Sequence, residues 1–407
     1  MTKYFFAALY FSAAYSSMAQ VEDSITMQAG RTHESYYNLN SGEVANVDNM
    51  DWDLAFELSG LGSSIRSNGH IGTEVFVYPN GTDWNSVDTT GMQWEALHNS
   101  ETSWETGAFD QDADPQDPFD TGWGEYNMIT HSVTGNRIFI VTLMSGDYKK
   151  VVIDSLSGGV FSFRHANLDG SSEVMQTITK GDYVDRNFVY YSVTNDQIID
   201  REPANNSWDL VFTKYMATLA PGVVYNVTGV LSNIGVHVRQ ADGVDPTVAD
   251  YNNFAVDSVI DVIGHDWKSF NGVTVSYDIT SDLSYFVEDL NGDLWHIVFT
   301  RFDLGSSGKT VFSKERISQA DVSEIADLQS FGMYPNPTND FVTIAFNSEG
   351  NSTVTITDMN GSILARESMS SSGFHTKTIA VQDFPAGVYL VRISTQNGTA
   401  TEKLIIN

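Results

Sequence analysis

WDLAF occupies residues 52–56 and WDLVF residues 208–212, and the reading of the fold turns on this near-repeat. Each pentapeptide follows a tyrosine pair, Tyr36-Tyr37 ahead of the first and Tyr190-Tyr191 ahead of the second. Further anchors recur downstream in the same order. IFIVTLMSGDYKKVVIDSL (138–156) corresponds to SYFVEDLNGDLWHIVFTRF (284–302), with Gly146-Asp147 falling on Gly292-Asp293, and GGVFSF (158–163) corresponds to KTVFSK (309–314). Trp123 and Trp267 stand ahead of the two longer matches. Anchors in a fixed order imply a tandem duplication, with one domain over 20–178 and a second over 179–318. A period of about 150 residues makes each unit a domain and not one turn of a solenoid.

The segments within each unit are short, rich in β-branched and aromatic residues, and separated by Gly/Asn/Asp turns such as SGD (145–147) and NGD (291–293). Long amphipathic helical patterns are missing, so the expected class is all-β, built from antiparallel hairpins. In a Trp-Asp-Leu-x-Phe strand, alternation predicts Trp, Leu and Phe on one core face and Asp on the other, capping a turn or taking a backbone donor.

The chain has 407 residues, 52 acidic against 21 basic, and a net charge of −31. Such a charge repels phosphate backbones and anionic lipid, which argues against nucleic acid as a partner. Residues 1–19 read as a secretory signal peptide: Lys3, an apolar run from Tyr4 to Tyr15, and the small-x-small site Ser17-Met18-Ala19. No later stretch has the roughly 18–20 consecutive apolar residues of a membrane helix. Cysteine is absent, which removes disulfides, thiol catalysis and thiolate metal sites together. GxSxG, HExxH and Walker-type loops are missing, so the chain reads as non-enzymatic.

After a polar linker at 319–330, residues 331–407 form a third unit of about seven short strands, an Ig-like β-sandwich. Its motifs are YPNPTND (334–340), DMNG (358–361), PAGVYLVRI (385–393) and the terminal KLIIN. They resemble the C-terminal sorting domain of the type IX secretion system of Bacteroidota. The resemblance implies recognition by the secretion machinery, processing by a sortase-like peptidase, and passage through the periplasm to the outer cell surface or the medium.

The tandem units resemble the HmuY family of haem-binding proteins. The likeness rests on YYNLNSGEVANV (36–47), DWDLAF (51–56), GWGEYNM (122–128) and NRIFIV (136–141) in the first unit. In the second it rests on SWDLVF (207–212), DWKSFN (266–271) and YFVEDLNGDLWHIVF (285–299). It implies haem or another porphyrin as a ligand, held by axial side chains on loops. Met128 then falls where the family carries one axial ligand, while Met92 and His98 in GMQWEALHN are the nearest candidates for the other. The second unit has Gly272 at the matching position, which cannot ligate iron, and a methionine in a β-protein also serves as a packed or surface residue. FDQDADPQDPFD (109–120) gathers Asp110, Asp112 and Asp114 with further carboxylates. Such spacing suits calcium or a solvated acidic loop. Two functions follow as expectations: an exported haem or porphyrin binder, or a structural or adhesive surface protein that keeps the fold without haem.

Overall fold

The computed structural model describes residues 21–60, 62–305, 307–318, 331–348, 350–358, 363–395 and 399–407. The expected signal peptide, the 319–330 linker and the Asn360-Gly361 turn lie outside the described residues. The chain divides into two compact units at residue 319/320.

Among the described residues of the first unit each repeat supplies eleven strands. The first repeat opens with β1 (Val21–Thr26), β2 (His33–Asn38), β3 (Gly42–Asp48), β4 (Leu54–Glu57), β5 (Ile65–Ser67) and β6 (Glu74–Val77). It continues with β7 (Gly124–Asn127), β8 (Ser132–Gly135), β9 (Phe139–Thr142), β10 (Tyr148–Ser157) and β11 (Val160–Asn167). The second repeat follows the same order with β12 (Val174–Thr179), β13 (Phe188–Ser192), β14 (Gln197–Ile199), β15 (Leu210–Ala220), β16 (Val223–Ser232) and β17 (His237–Asp242). It ends in β18 (Lys268–Asn271), β19 (Ser276–Ile279), β20 (Leu283–Glu288), β21 (Leu294–Phe302) and β22 (Lys309–Ser318). No α-helix occurs among the described residues, and every strand ladder is antiparallel, as the turn chemistry predicts. Gly146 and Gly292 take φ of 85° and 79° in the two SGD/NGD hairpins, a conformation that glycine adopts without strain.

The pairing of these strands exchanges segments between the repeats. One sheet runs β1-β22-β21-β20-β17, so the first strand of repeat one closes on the last strand of repeat two. Its counterpart contains β12-β11-β10, with β9 on β10 and β6 on β9. The tyrosine hairpins cross over reciprocally. β2 pairs with β15, Tyr36 opposite Val211 and Tyr37 opposite Leu210; β13 pairs with β4, Tyr190 opposite Ala55 and Tyr191 opposite Leu54. Strand pairing therefore runs across the boundary expected at 178/179, and the two repeats are interlocked, not separately closed.

The twin pentapeptide lies at this crossover. Leu54 and Phe56 pack in one core with Trp123, Phe161, Phe163 and Tyr191, while Leu210 and Phe212 pack in a second with Tyr37, Trp267, Phe299 and Phe312. The tryptophans depart from the expected face. Trp52 packs with Ala55 and Tyr190, and Trp208 with Val211 and Tyr36. The reason is local: the strands begin at Leu54 and Leu210, so the alternation does not reach back to the Trp-Asp pair.

The aspartates do cap turns, but turns of the other repeat. The Asp53 amide donates to the Tyr191 carbonyl and the Asp209 amide to the Tyr37 carbonyl, each at 2.9 Å. The Asp209 carboxylate accepts from the Leu39 amide at 2.8 Å and the Asn38 side chain at 2.9 Å; that of Asp53 accepts from the Thr194 amide at 3.0 Å. Asn68 and Asn233 complete the pattern, their side-chain amides donating to the carbonyls of Trp52 and Trp208 at 3.0 and 2.7 Å.

The described residues of the second unit form a sandwich of seven strands. Phe331–Tyr334, Phe341–Ser348 and Gly373–Ala380 form one sheet; Ile363–Met369, Ser352–Thr357, Gly387–Thr395 and Thr399–Ile406 form the other. Val342, Ile344, Val354, Ile356, Val391 and Leu404 fill the space between them.

Candidate functional site

The crossover brings the leading tyrosines of the two pairs together. Tyr36 and Tyr190 place their hydroxyls 3.4 Å apart, and each ring meets the tryptophan of the opposite repeat edge-on, Tyr36 on Trp208 at 5.0 Å and Tyr190 on Trp52 at 4.9 Å. Around this axis the symmetry breaks. Glu34 stands on the Tyr36 side, where Phe188 is its equivalent in the second repeat. Its carboxylate accepts from Arg201 at 2.6 Å, from the Tyr36 hydroxyl at 2.8 Å and from the Thr213 hydroxyl at 2.8 Å. Arg201 also donates to the Asp48 carbonyl and covers the Tyr190 ring at 5.0 Å. Burial alone would lower the Arg201 pKa, but Glu34 and its neighbours raise it above its ordinary value. Burial, then Glu34, pushes the Tyr36 hydroxyl well up, and burial with Glu202 does the same to Tyr190. This is a buried ion pair shared between the repeats, beside which Tyr36 and Tyr190 stay protonated and Arg201 stays charged.

Arg66 organises the rim. Its guanidinium donates to the carbonyls of Ser100, Ser103, Trp104 and Thr106 at 3.0, 2.8, 3.1 and 3.4 Å, and burial lowers its pKa to about 10. The loop so held spans both repeats: the Trp104 indole donates to the Ser232 carbonyl at 2.8 Å, and the Ile260 amide to the Thr102 carbonyl at 3.2 Å. A cavity of about 80 Å³ lies beneath it, lined by Glu34, Tyr36, Trp52, Trp104, Tyr190 and Tyr215 among others. It is small beside the roughly 300–1,000 Å³ of small-molecule pockets. Its polar groups serve chiefly to fix the crossover.

Glu202, next to Arg201, is fully buried. One oxygen accepts from the Phe188 amide at 2.8 Å and the other has no hydrogen-bond partner, and burial pushes its pKa up to about 8. The folded chain therefore keeps a proton that an unfolded Glu, with a pKa of 4.5, gives up. This stabilisation is complete below that value and is lost as pH rises through about 8. Burial raises Asp110 to about 7 and Asp209 to about 6, in the same sense. We expect the wild-type melting temperature to fall from pH 5 to pH 8.5 more steeply than that of Glu202→Gln, which stays neutral throughout. Parallel curves in thermal denaturation would contradict this assignment.

The residues singled out from sequence lie in different local settings. Met92 is buried among Phe76, Tyr78 and Trp84. Met128 is 63% exposed in the turn between β7 and β8. His98 is half-buried beside Leu97, with its pKa lowered by burial. The turn carrying Met128 has a structural purpose repeated in the other half. The Asn127 side chain accepts from the amides of Ile129 and Thr130 at 2.9 and 3.1 Å, and Asn271 accepts from Val273 and Thr274 at 3.0 and 3.3 Å. Met128 and Gly272 thus occupy the same open position of one turn type, which asks nothing of the side chain there. Met92 is thus a core residue, Met128 an open turn position and His98 a half-buried residue beside Leu97.

The acidic run is likewise dispersed. Asp110 turns inward and accepts from Ser64 at 2.7 Å and from the Gly107 amide at 2.6 Å. Asp112 pairs with Arg137 at 2.8 Å, as does Asp120 at 2.6 Å. Asp114 accepts from the Gln116 amide at 2.9 Å. Among the described residues no group of three or more His, Asp or Glu is placed to hold a metal, and Asp110, Asp112 and Asp114 each engage a partner of their own. Glu34, Arg66 and Arg201 were not singled out from sequence. Glu34 did carry a signal, two positions before Tyr36 and hence on its side of β2; Arg201, in a loop, carried none.

In the C-terminal sandwich the two ends of the unit meet. The Asn336 side chain of YPNP donates to the Lys403 carbonyl at 2.8 Å and accepts from the Ile405 amide at 2.9 Å, and the Thr338 amide donates to the Ile405 carbonyl at 3.0 Å. YPNPT and KLIIN, far apart in sequence, are one surface feature. A search of curated proteins finds no match. Among solved structures, one described as a biofilm-associated protein BSP domain aligns at a TM-score of 0.17 and 10% identity, over 98% of this chain and 68% of that one. A family model described as secretion system C-terminal sorting domain matches residues 332–407. No helix among the described residues is long and apolar enough to cross a membrane. Residues 332–407 are a C-terminal sorting domain of the type IX secretion system, and they mark the chain for the cell surface or the extracellular space.

Proposed function

We propose that the chain is an exported, non-enzymatic binding protein in which the interlocked repeats are the cargo and the sorting domain the address. The observation that carries this reading is the sorting unit itself, with its two motif ends clamped by Asn336. The assignment of the cargo as a binder and not a catalyst is supported by where the perturbed groups sit. Glu202 and Asp209 are buried, Asp110 is half-buried, and all three hold neighbouring backbone in place, while the Glu34–Arg201 pair joins the repeats. Such groups build a scaffold.

Deletion of 331–407 should leave the protein in the periplasm, read by fractionation and surface proteolysis. Normal surface display of the deleted form would overturn the export reading. Asn336→Ala, which removes the clamp alone, should lower surface yield and leave the cargo's melting temperature unchanged.

A structural or adhesive role is the second reading. It is favoured by the apolar side chains held out at hairpin tips: Leu219, Val223 and Tyr225 on β15–β16, Met128 and Ile129 on β7–β8, and Val273 on β18–β19. Hairpin tips that each hold out apolar side chains give such a protein points of contact with another surface.

A further inference from the structure

In a chain of net charge −31, three cations converge on one hollow without a carboxylate among them. Arg31, Lys214 and Lys268 line a depression of about 380 Å³, with His265, Tyr225 and Tyr277 on its walls. Arg31 lies in the turn before β2, Lys214 on β15 and Lys268 on β18, so the interlocking of the repeats assembles the cluster. None of the three has an ion-pair partner among the described residues.

Lys268 is buried and donates to the carbonyls of Thr228 and His265 at 2.6 and 3.2 Å, with its ammonium over the Trp267 ring at 4.1 Å. Arg31 keeps a buried Nε without a partner, and the Lys214 ammonium has no hydrogen-bond partner among the described residues. Burial lowers the pKa of both lysines, that of Lys268 to about 7; Arg31 adds to this in each case, and Asp266 near Lys268 partly offsets it. The cluster therefore repels itself, which is costly unless something negative offsets it.

The fold does not require these cations. Repeat alignment on the Trp-Asp motif sets Lys214 opposite Leu58, and alignment on Trp123 and Trp267 sets Lys268 opposite Gly124. The first repeat has an apolar residue just past the end of β4 and a glycine in β7 at these places. The second has acquired positive charge where the overall field favours none.

We propose that this hollow is an oxyanion-binding site, taking a small ligand that presents a phosphate, sulfate or carboxylate group to Arg31, Lys214 and Lys268. Arg31 suits a forked contact and the lysines point-charge contacts, while Tyr225 and Tyr277 flank the hollow with rings and hydroxyls. The proposal deepens the binding-protein reading and rests on it for its setting, but its test is independent of export.

The test is isothermal titration of the purified full chain with inorganic phosphate, inorganic sulfate and glucuronate, each at constant ionic strength set with chloride. Saturable one-to-one binding of at least one is expected, and the ranking distinguishes the phosphate, sulfate and carboxylate sources. Lys214→Gln, which breaks no hydrogen bond, should weaken that binding about ten-fold or more, the effect of one charge-assisted contact. In chloride alone the same variant should melt at or above the wild-type temperature, because it relieves repulsion. No saturable heat from any of the three anions overturns the proposal. Equal binding by wild type and Lys214→Gln overturns it too. Failure of the tail deletion to block display would touch only the export reading.

Discussion

Arg201→Met is expected to cost about 3–5 kcal/mol of unfolding free energy, the usual penalty for leaving a buried charge without its partner. The side chains of Arg201 and Glu34 are only 4% and 8% exposed, so water cannot replace the lost guanidinium. Without it Glu34 keeps two hydroxyl donors, Tyr36 and Thr213, and must either stay charged in a poor medium or take up a proton. The Asp48 carbonyl also loses its donor. Urea denaturation at neutral pH measures the loss. The double variant Glu34→Gln/Arg201→Met should recover about half of it, since the introduced amide is neutral and still meets Tyr36 and Thr213, and replacing both members of a buried pair costs far less than removing one. A single-variant loss below about 1 kcal/mol would mean the pair is solvated and does not lock the repeats.

The duplication was legible because the same core demands recur. A Leu-x-Phe alternation, a Gly-Asp hairpin and a tyrosine pair are local requirements, and each repeat meets them with nearly the same letters. The exchange of strands was not legible, for the same reason. Tyr191 packs against Leu54 of the other repeat, yet Tyr37 offers the same ring, so pairing within or across repeats satisfies one pattern equally. Choosing between them depends on long-range contacts such as Tyr36 with Trp208 and Glu34 with Arg201, which meet only in three dimensions. Alternation also misplaces the tryptophans, because their positions precede the strand proper. The candidate ligand residues are a separate matter. Met128 follows from an alignment that the turn geometry supports, but the turn needs only its asparagine. The aspartates form a group along the chain, and folding gives each its own partner: an amide, a hydroxyl or Arg137.

The basic hollow shows where the repeats diverged. Lys214 and Lys268 are inconspicuous along the chain, each a lone cation in a strand. They become a cluster only when β15, β18 and the turn before β2 are brought together, and that juxtaposition depends on the crossover.

The crossover is thus the central claim, and the absence of native cysteine allows a direct measurement. Glu22 on β1 stands opposite Ser313 on β22, and directly opposed residues in an antiparallel pair have Cα atoms about 4.5–5.5 Å apart, within disulfide range. Ser162 on β11 is the repeat-one equivalent of Ser313 and here faces Thr177 on β12. If each repeat closed on itself, β1 would pair with β11 and Glu22 would lie by Ser162. Glu22→Cys/Ser313→Cys should therefore oxidise to an intramolecular disulfide in high yield, seen as a mobility shift and loss of free thiol, while Glu22→Cys/Ser162→Cys stays reduced. The reverse pattern would contradict the interlocked fold.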